Sequence, residues 1–161
     1  MIYIKVLDNN EVLLGGTVAT KEMTAGGWVK YNGTIPQGSK FKMVNGKLKA
    51  DLTEDKVNKL KELQQAYEAS NALDISYLKT IFQADVKSQD TISKVLSVGS
   101  VPVGFYWLDK ANNQVTMIYA DLQGMAGAIL LRNQANFDKF QGLKAKVKLA
   151  KTQAELDLIV W

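Results

Sequence analysis

The 161-residue chain contains no cysteine and no histidine, and it has a single arginine, Arg132. The missing side chains exclude a thiolate nucleophile, a disulfide framework, a zinc site of the usual Cys/His kind and a Ser-His-Asp triad. Catalysis by paired carboxylates stays chemically open, but nothing in the sequence points to such a pair. We therefore expect a protein that is not an enzyme and that carries no cofactor and no metal.

Long apolar runs are also missing. The longest, such as residues 128–131, span a few residues, whereas a membrane-crossing helix needs about 20. The first residues alternate between apolar and polar instead of pairing a basic stretch with a long apolar one. The sequence predicts no membrane insertion and no secretory signal. We expect the protein to act where it is made or to leave inside a larger particle.

The positive charge is small and unevenly placed. Residues 1–50 hold seven lysines against three acidic residues, and the rest of the chain is balanced, which gives a net charge of +4. Phosphate-binding surfaces usually cluster arginine and lysine with aromatic partners, so we expect no nucleic-acid partner. The lysines at 144, 146, 148 and 151 are interpreted as a solvated face around a buried stripe.

Residues 1–50 predict a small β module. The expected strands are at residues 2–6, 12–14, 28–31 and 41–44. Alternating apolar residues indicate the first hairpin, with a turn at residues 8–10. The Asn45-Gly46 pair is a strong signal for a second hairpin.

Residues 51–74 predict a connecting helix. Thr53 is expected to cap it, and acidic residues follow in the first turn. An apolar stripe recurs at helical spacing: Val57, Leu60, Leu63 and Tyr67. Two interpretations stay open, because this narrow stripe fits a helix lying on its own domain as well as a short coiled coil that joins copies in a homo-oligomer.

Residues 75–161 predict a C-terminal α+β domain. Its expected elements are a strand at 77–84, a helix from Ser88 to Gly99, a hairpin of residues 103–107 and 115–117, and a long helix at 119–151. Thr152 and Glu155 have capping-box spacing and begin a terminal helix. The predicted fold class is therefore α+β: a small N-terminal β module, a connecting helix, and a C-terminal domain with a β-hairpin and long helices.

Two groups of residues could suggest ligand chemistry, and both have plainer interpretations. Gly124 and Gly127 lie inside a predicted helix without the strand and Lys-Ser/Thr of a phosphate loop, which favours close packing. Asp109 and Asp121 lack the spacing of a calcium site, so a turn and the first turn of a helix are their expected places.

Aromatic side chains are the candidates for binding a partner. Trp28, Tyr31 and Phe41 in the N-terminal module could form an exposed aromatic patch. Trp28 and Tyr31 could instead stack on sugars, or they could be ordinary half-buried strand residues.

Three ordered blocks occur in residues 75–161. The first is Phe82-Gln83-Ala84-Asp85 followed by the Ser88-Gln89 helix start. The second is Phe105-Tyr106-Trp107-Leu108-Asp109 leading to residues 112–117. The third is Ala120-Asp121-Leu122, then residues 143–146, then Thr152, Glu155 and Trp161. In their order and spacing, these blocks resemble the C-terminal domain of unknown function shared by tail-fibre and tail-fibre-assembly proteins of tailed phages and prophages.

This resemblance implies a context and no catalytic residues. It leads us to expect a non-enzymatic protein that contacts the phage tail fibre, as an assembly chaperone or as a factor bound to the fibre tip. The alternatives are a structural component of the virion tail and a carbohydrate-binding tip module for host recognition. The expected location is the host cytoplasm during assembly, with the virion tail as the other location.

Overall fold

The computed structural model describes residues 1–18, 20, 25–38 and 40–161. The strands are Ile2–Val6 (β1), Glu11–Leu14 (β2), Val29–Tyr31 (β3), Phe41–Val44 (β4), Lys47–Ala50 (β5), Ile75–Tyr77 (β6), Thr80–Phe82 (β7), Tyr106–Leu108 (β8) and Gln114–Thr116 (β9). The helices are Thr53–Asn71 (α1), Val86–Val98 (α2), Tyr119–Leu149 (α3) and Gln153–Asp157 (α4). The fold is α+β, as the sequence predicts.

The N-terminal strands form one antiparallel sheet in the order β3-β1-β2-β4-β5. Side chains alternate across a strand, and one face gathers a buried core of Ile4, Val12, Phe41 and Leu48. The two predicted hairpins are confirmed, since β1 pairs with β2 and β4 pairs with β5. Asn45 and Gly46 turn the second hairpin with positive φ angles of 50° and 71°, as a tight two-residue turn requires.

The connecting helix is confirmed, but its predicted cap is wrong. Thr53 already lies inside α1, and its hydroxyl donates to the Asp51 carboxylate at 2.7 Å. The backbone N–H of Thr53 donates to the same carboxylate at 3.3 Å. Asp51 therefore accepts the bonds that anchor the start of the helix.

The single strand predicted at residues 77–84 is wrong, because β6 and β7 form a hairpin there. Leu78 and Lys79 form its turn with positive φ angles of 48° and 62°. Residues other than glycine, asparagine and aspartate seldom adopt this region. The next helix, α2, begins at Val86, before the predicted start at Ser88. The Asp85 carboxylate caps it by accepting the N–H of Ser88 at 2.8 Å, and Gly99 ends it at φ 83°.

The remaining predicted elements are confirmed with small shifts. Strands β8 and β9 form the second C-terminal hairpin, and Asp109 holds its turn by accepting the N–H groups of Ala111 and Asn113, each at 2.8 Å. Asp121 accepts the N–H of Ile118 at the start of α3. The capping box of Thr152 and Glu155 opens α4.

Contacts group the chain into two compact units. The first consists of residues 1–61 and 144–160, and the second of residues 62–143 with Trp161. The second has its own buried core, made of Phe82, Ala84, Ile92, Met117, Leu122, Met125 and Ile129. The predicted domains, at residues 1–50, 51–74 and 75–161, stay a prediction. No helix in the described part of the chain is long and apolar enough to cross a membrane.

Candidate functional site

The aromatic residues predicted to bind a partner do not form one exposed patch. Phe41 is 8% exposed and belongs to the core of the N-terminal sheet, so it cannot serve as a surface contact. Tyr31 packs against the same core, and its hydroxyl accepts the N–H of Leu48 at 3.1 Å. Trp28 is half-buried just before β3. Trp28 and Tyr31 thus keep partial exposure, and their binding role stays a prediction.

The stripe on α1 is divided between packed and exposed residues. Leu63 is fully buried. The Tyr67 ring stacks on Phe140 of α3 with centroids 5.1 Å apart, and it meets the Trp161 ring edge-on at 6.1 Å. Leu60 is half-buried and Val57 is 48% exposed. An interface between copies stays a prediction, and Val57 is the stripe residue left most accessible for it.

Three acidic side chains with lowered pKa values, Asp51, Asp85 and Asp109, shape the backbone. The Lys42 ammonium at 2.8 Å and the Thr53 hydroxyl lower the pKa of Asp51 to about 2. Hydrogen bonds from Ser88 lower the pKa of Asp85, and those from Asn113 lower the pKa of Asp109. Each carboxylate is thus engaged at a helix start or a turn. Within the residues that the structure describes, no group of acidic side chains could hold a metal ion.

A polar network in the second unit is centred on Arg132, and no motif in the sequence predicts this network. The Arg132 guanidinium donates to the backbone carbonyls of Asn71, at 2.6 Å, and Leu73. The Gln89 amide donates to the same Asn71 carbonyl at 2.7 Å, and Asn136 donates to the Asn71 side chain at 2.8 Å. A cation and several donors thus satisfy the carbonyls at the C-terminus of α1. The one sign of this network in the sequence is that the single arginine of a lysine-rich chain occurs at this position.

An aromatic depression of about 250 Å³ lies beside the β8–β9 hairpin. Its lining residues are Gln83, Ser88, Tyr106, Trp107 and Leu108. Tyr106 and Leu108 are 47% and 41% exposed, while Trp107 between them turns toward the core. The depression therefore combines accessible aromatic surface with an amide and a hydroxyl.

A larger cavity of about 510 Å³ lies in the first unit, where α3 ends and α4 begins. Ala150 and Ile159 are its buried residues, and Leu149 and Leu158 are its exposed apolar ones. Lys146, Lys151 and Glu155 add charge to the lining. The sequence predicts a solvated face for these lysines and gives no signal for the two leucines.

One comparison with known proteins gives a match. The family model described as Domain of unknown function (DUF4376) matches residues 51–160, from the start of the connecting helix through α4. Comparison with curated proteins gave no significant match, and neither did comparison with solved structures. Because the family model covers most of the chain, the protein belongs to the DUF4376 family.

Proposed function

We propose that this DUF4376 protein associates with the tail fibre of a tailed phage or prophage and acts by protein–protein contact. The observation that carries the proposal is the ordered resemblance of residues 75–161 to the C-terminal domain of tail-fibre and tail-fibre-assembly proteins. The resembling residues include ones that shape the fold: Phe82 is buried, Asp85 caps α2 and Asp109 holds a hairpin turn. A shared order of such residues favours a shared fold over a chance likeness.

The favoured role is that of an assembly chaperone or a factor bound to the fibre tip, acting in the host cytoplasm during assembly. A chaperone needs accessible apolar surface to hold a chain that has not finished folding. In this protein, α3 exposes Leu130, Leu131 and Leu149, and Leu158 is 82% exposed just after α4. These side chains supply surface of the required kind, and half-buried Trp28 is the aromatic candidate.

Copurification tests the proposal directly. The tagged full-length chain is expressed during infection by its source phage, and the proteins that copurify are identified by mass spectrometry. We expect the fibre protein to be recovered, and replacing Trp28 by alanine to reduce its recovery by roughly tenfold, the effect of a moderate hot spot. Val29→Ala is the matched control, because Val29 is exposed next to Trp28.

The possible results separate the parts of the proposal. Unchanged recovery with Trp28→Ala would remove Trp28 from the contact, and absence of any fibre protein would count against the function itself. Mass spectrometry of purified virions then distinguishes the roles. A chaperone is absent from virions and abundant in the lysate, whereas a tail component is present at a fixed multiple of the fibre copy number.

The aromatic depression favours a second candidate function, a carbohydrate-binding tip module for host recognition. Sugars stack on accessible aromatic rings and accept hydrogen bonds from amides, and the depression offers Tyr106 beside Gln83. A glycan array probed with the full-length chain tests this alternative. Binding that is lost in Tyr106→Ala would support it, and an array without signal would oppose it.

A further inference from the structure

The cavity at the junction of α3 and α4 has apolar walls that the fold leaves exposed. Leu149 is 74% exposed and Leu158 is 82% exposed, while Ala150 and Ile159 of the same lining are buried. Single exposed leucines are ordinary on protein surfaces. Here two of them line one open depression of about 510 Å³ and form an apolar surface that side chains of another molecule could contact.

The lining of this cavity carries a net positive charge. The Glu155 carboxylate accepts the backbone N–H groups of Lys151, at 2.5 Å, and of Thr152, at 3.3 Å, and the second of these bonds is part of the capping box. Lys146 and Lys151 are exposed, and neither forms an ion pair with any residue that the structure describes. The lining thus holds two lysines against one carboxylate, whose hydrogen bonds to neutral N–H groups leave its negative charge in place, so the net charge of the lining is positive.

A second cavity of about 380 Å³ extends this surface within the same unit. It shares Lys151 with the first cavity and adds Pro36, Leu48 and Lys49 to the lining. The two cavities together form a surface that we call the α4 groove, defined by the lining of both. Both cavities combine apolar residues with lysine in their lining.

We propose that the α4 groove binds an acidic peptide segment with large apolar side chains, supplied by a protein partner. This inference rests on the proposed function, since it assigns a surface, in addition to Trp28, by which the protein would contact its partner. Apolar side chains would enter beside Leu149 and Leu158, and carboxylates would meet Lys146, Lys151 and Lys49. Such charge complementarity selects the partner and speeds its association. None of the described lining residues is aromatic or an arginine, so the groove lacks the side chains with which proteins usually bind nucleic acid.

Titration of the full-length chain with a synthetic probe tests the groove. The probe is a short, soluble peptide that alternates glutamate with leucine, and binding is followed by amide chemical shifts in two-dimensional NMR spectra. We expect saturable shifts of the amides at residues 146–151 and 155–159, which weaken at high salt. The double variant Lys146→Glu, Lys151→Glu should weaken binding by at least about tenfold.

Matched variants distinguish specific binding in the groove from nonspecific binding of the probe elsewhere on the surface. Leu149→Ser should weaken the binding several-fold, whereas Leu131→Ser should not, although both leucines lie on α3 and are 74% exposed. Lys87→Glu with Lys94→Glu, two exposed lysines of α2, is the charge control. Circular dichroism and thermal unfolding show that each variant is folded before it is compared.

Each contrary result overturns the inference in a recognisable way. Equal binding of a lysine–leucine peptide would show that charge plays no part, and absence of saturable shifts would show that no such site exists. Sedimentation of the free chain, and vesicles rich in anionic lipid, test a second copy and a membrane as the occupant instead. If the charge-reversal variant still recovers the fibre protein, the assignment of the contact to the groove is wrong and the proposed function stands. If the probe binds but no fibre protein is recovered, the groove is a binding site and the proposed function is wrong.

Discussion

At the scale of single residues, Gly124 and Gly127 share one helix but differ in their surroundings. A Cβ built at Gly124 would overlap the ring of Tyr77, whereas a Cβ built at Gly127 would meet no described atom within 4 Å apart from its chain neighbours and the backbone of its own helix. Close packing, which the sequence suggested for both, therefore applies to Gly124. Alanine is preferred over glycine in a helix by about 1 kcal/mol, so packing alone decides whether alanine stabilises or destabilises each site.

We expect Gly124→Ala to lower the free energy of unfolding by about 1–3 kcal/mol, because the Tyr77 ring must move to admit the methyl group. Gly127→Ala is the matched control and should raise the free energy of unfolding by about 0.5–1 kcal/mol. Urea unfolding followed by circular dichroism measures both. Equal effects of the two substitutions would contradict the packing assigned to Tyr77.

Asp51 makes the stability depend on pH. Its pKa is lowered from 3.8 to about 2 in the folded chain, so its ionised form is favoured by folding. The stabilisation is therefore fully present above pH 4 and is lost as the pH falls through about 2. We expect Asp51→Asn to cost roughly 1 kcal/mol at neutral pH, after allowance for solvent screening, and progressively less as the pH falls below 4 toward about 2. Asp90→Asn, at an exposed acid of α2, is the control for the removal of one negative charge in the same unfolding measurements.

At the scale of elements, local signals in the sequence predict most of the fold. Three local predictions are confirmed: the Asn45-Gly46 turn, the Thr152–Glu155 capping box and the end of α2 at Gly99. Each depends on residue types that favour one particular backbone geometry. The β6–β7 hairpin is missed for the converse reason. Leu78 and Lys79 form its turn at positive φ, and no local pattern marks them as turn residues.

The C-terminus of α1 depends on contacts from distant elements, and a substitution at Arg132 tests them. Lysine keeps the positive charge but cannot reach the carbonyls of Asn71 and Leu73 with the paired donors of a guanidinium. We expect Arg132→Lys to lower the free energy of unfolding by about 1–3 kcal/mol. Faster hydrogen exchange in the last turn of α1 would locate the effect.

Gln141→Ala is the control for this substitution, because Gln141 is an exposed residue of the same helix. It should leave both stability and exchange unchanged. If Arg132→Lys also leaves stability and exchange unchanged, the paired hydrogen bonds of the guanidinium do not stabilise the end of α1, and a positive charge is sufficient there.

At the scale of the whole molecule, the sequence predicts the fold class better than the candidate site. Trp28 and Phe41 are alike as strand-region aromatics in the sequence, yet one is half-buried and the other lies in the core. The α4 groove is invisible in the sequence, because its lysines fit a solvated face equally well. Only the fold places Leu149 and Leu158 on the lining of one cavity. The sequence shows which side chains are apolar, and tertiary contacts decide which of them stay accessible.

The apolar stripe on α1 raises the question whether the whole molecule associates with further copies of itself. Leu63 and Tyr67 already pack within the chain, so a partner copy could use only the accessible part of the stripe, above all Val57. We expect Val57→Asp to leave the sedimentation-equilibrium mass unchanged, and Leu63→Ala to lower the free energy of unfolding by about 2–4 kcal/mol without changing that mass. A wild-type oligomer whose mass falls in Val57→Asp would show instead that α1 joins copies, as a structural component of a tail requires. The exposed Leu131→Asp is the control, since a fall in mass there would place the contact on α3.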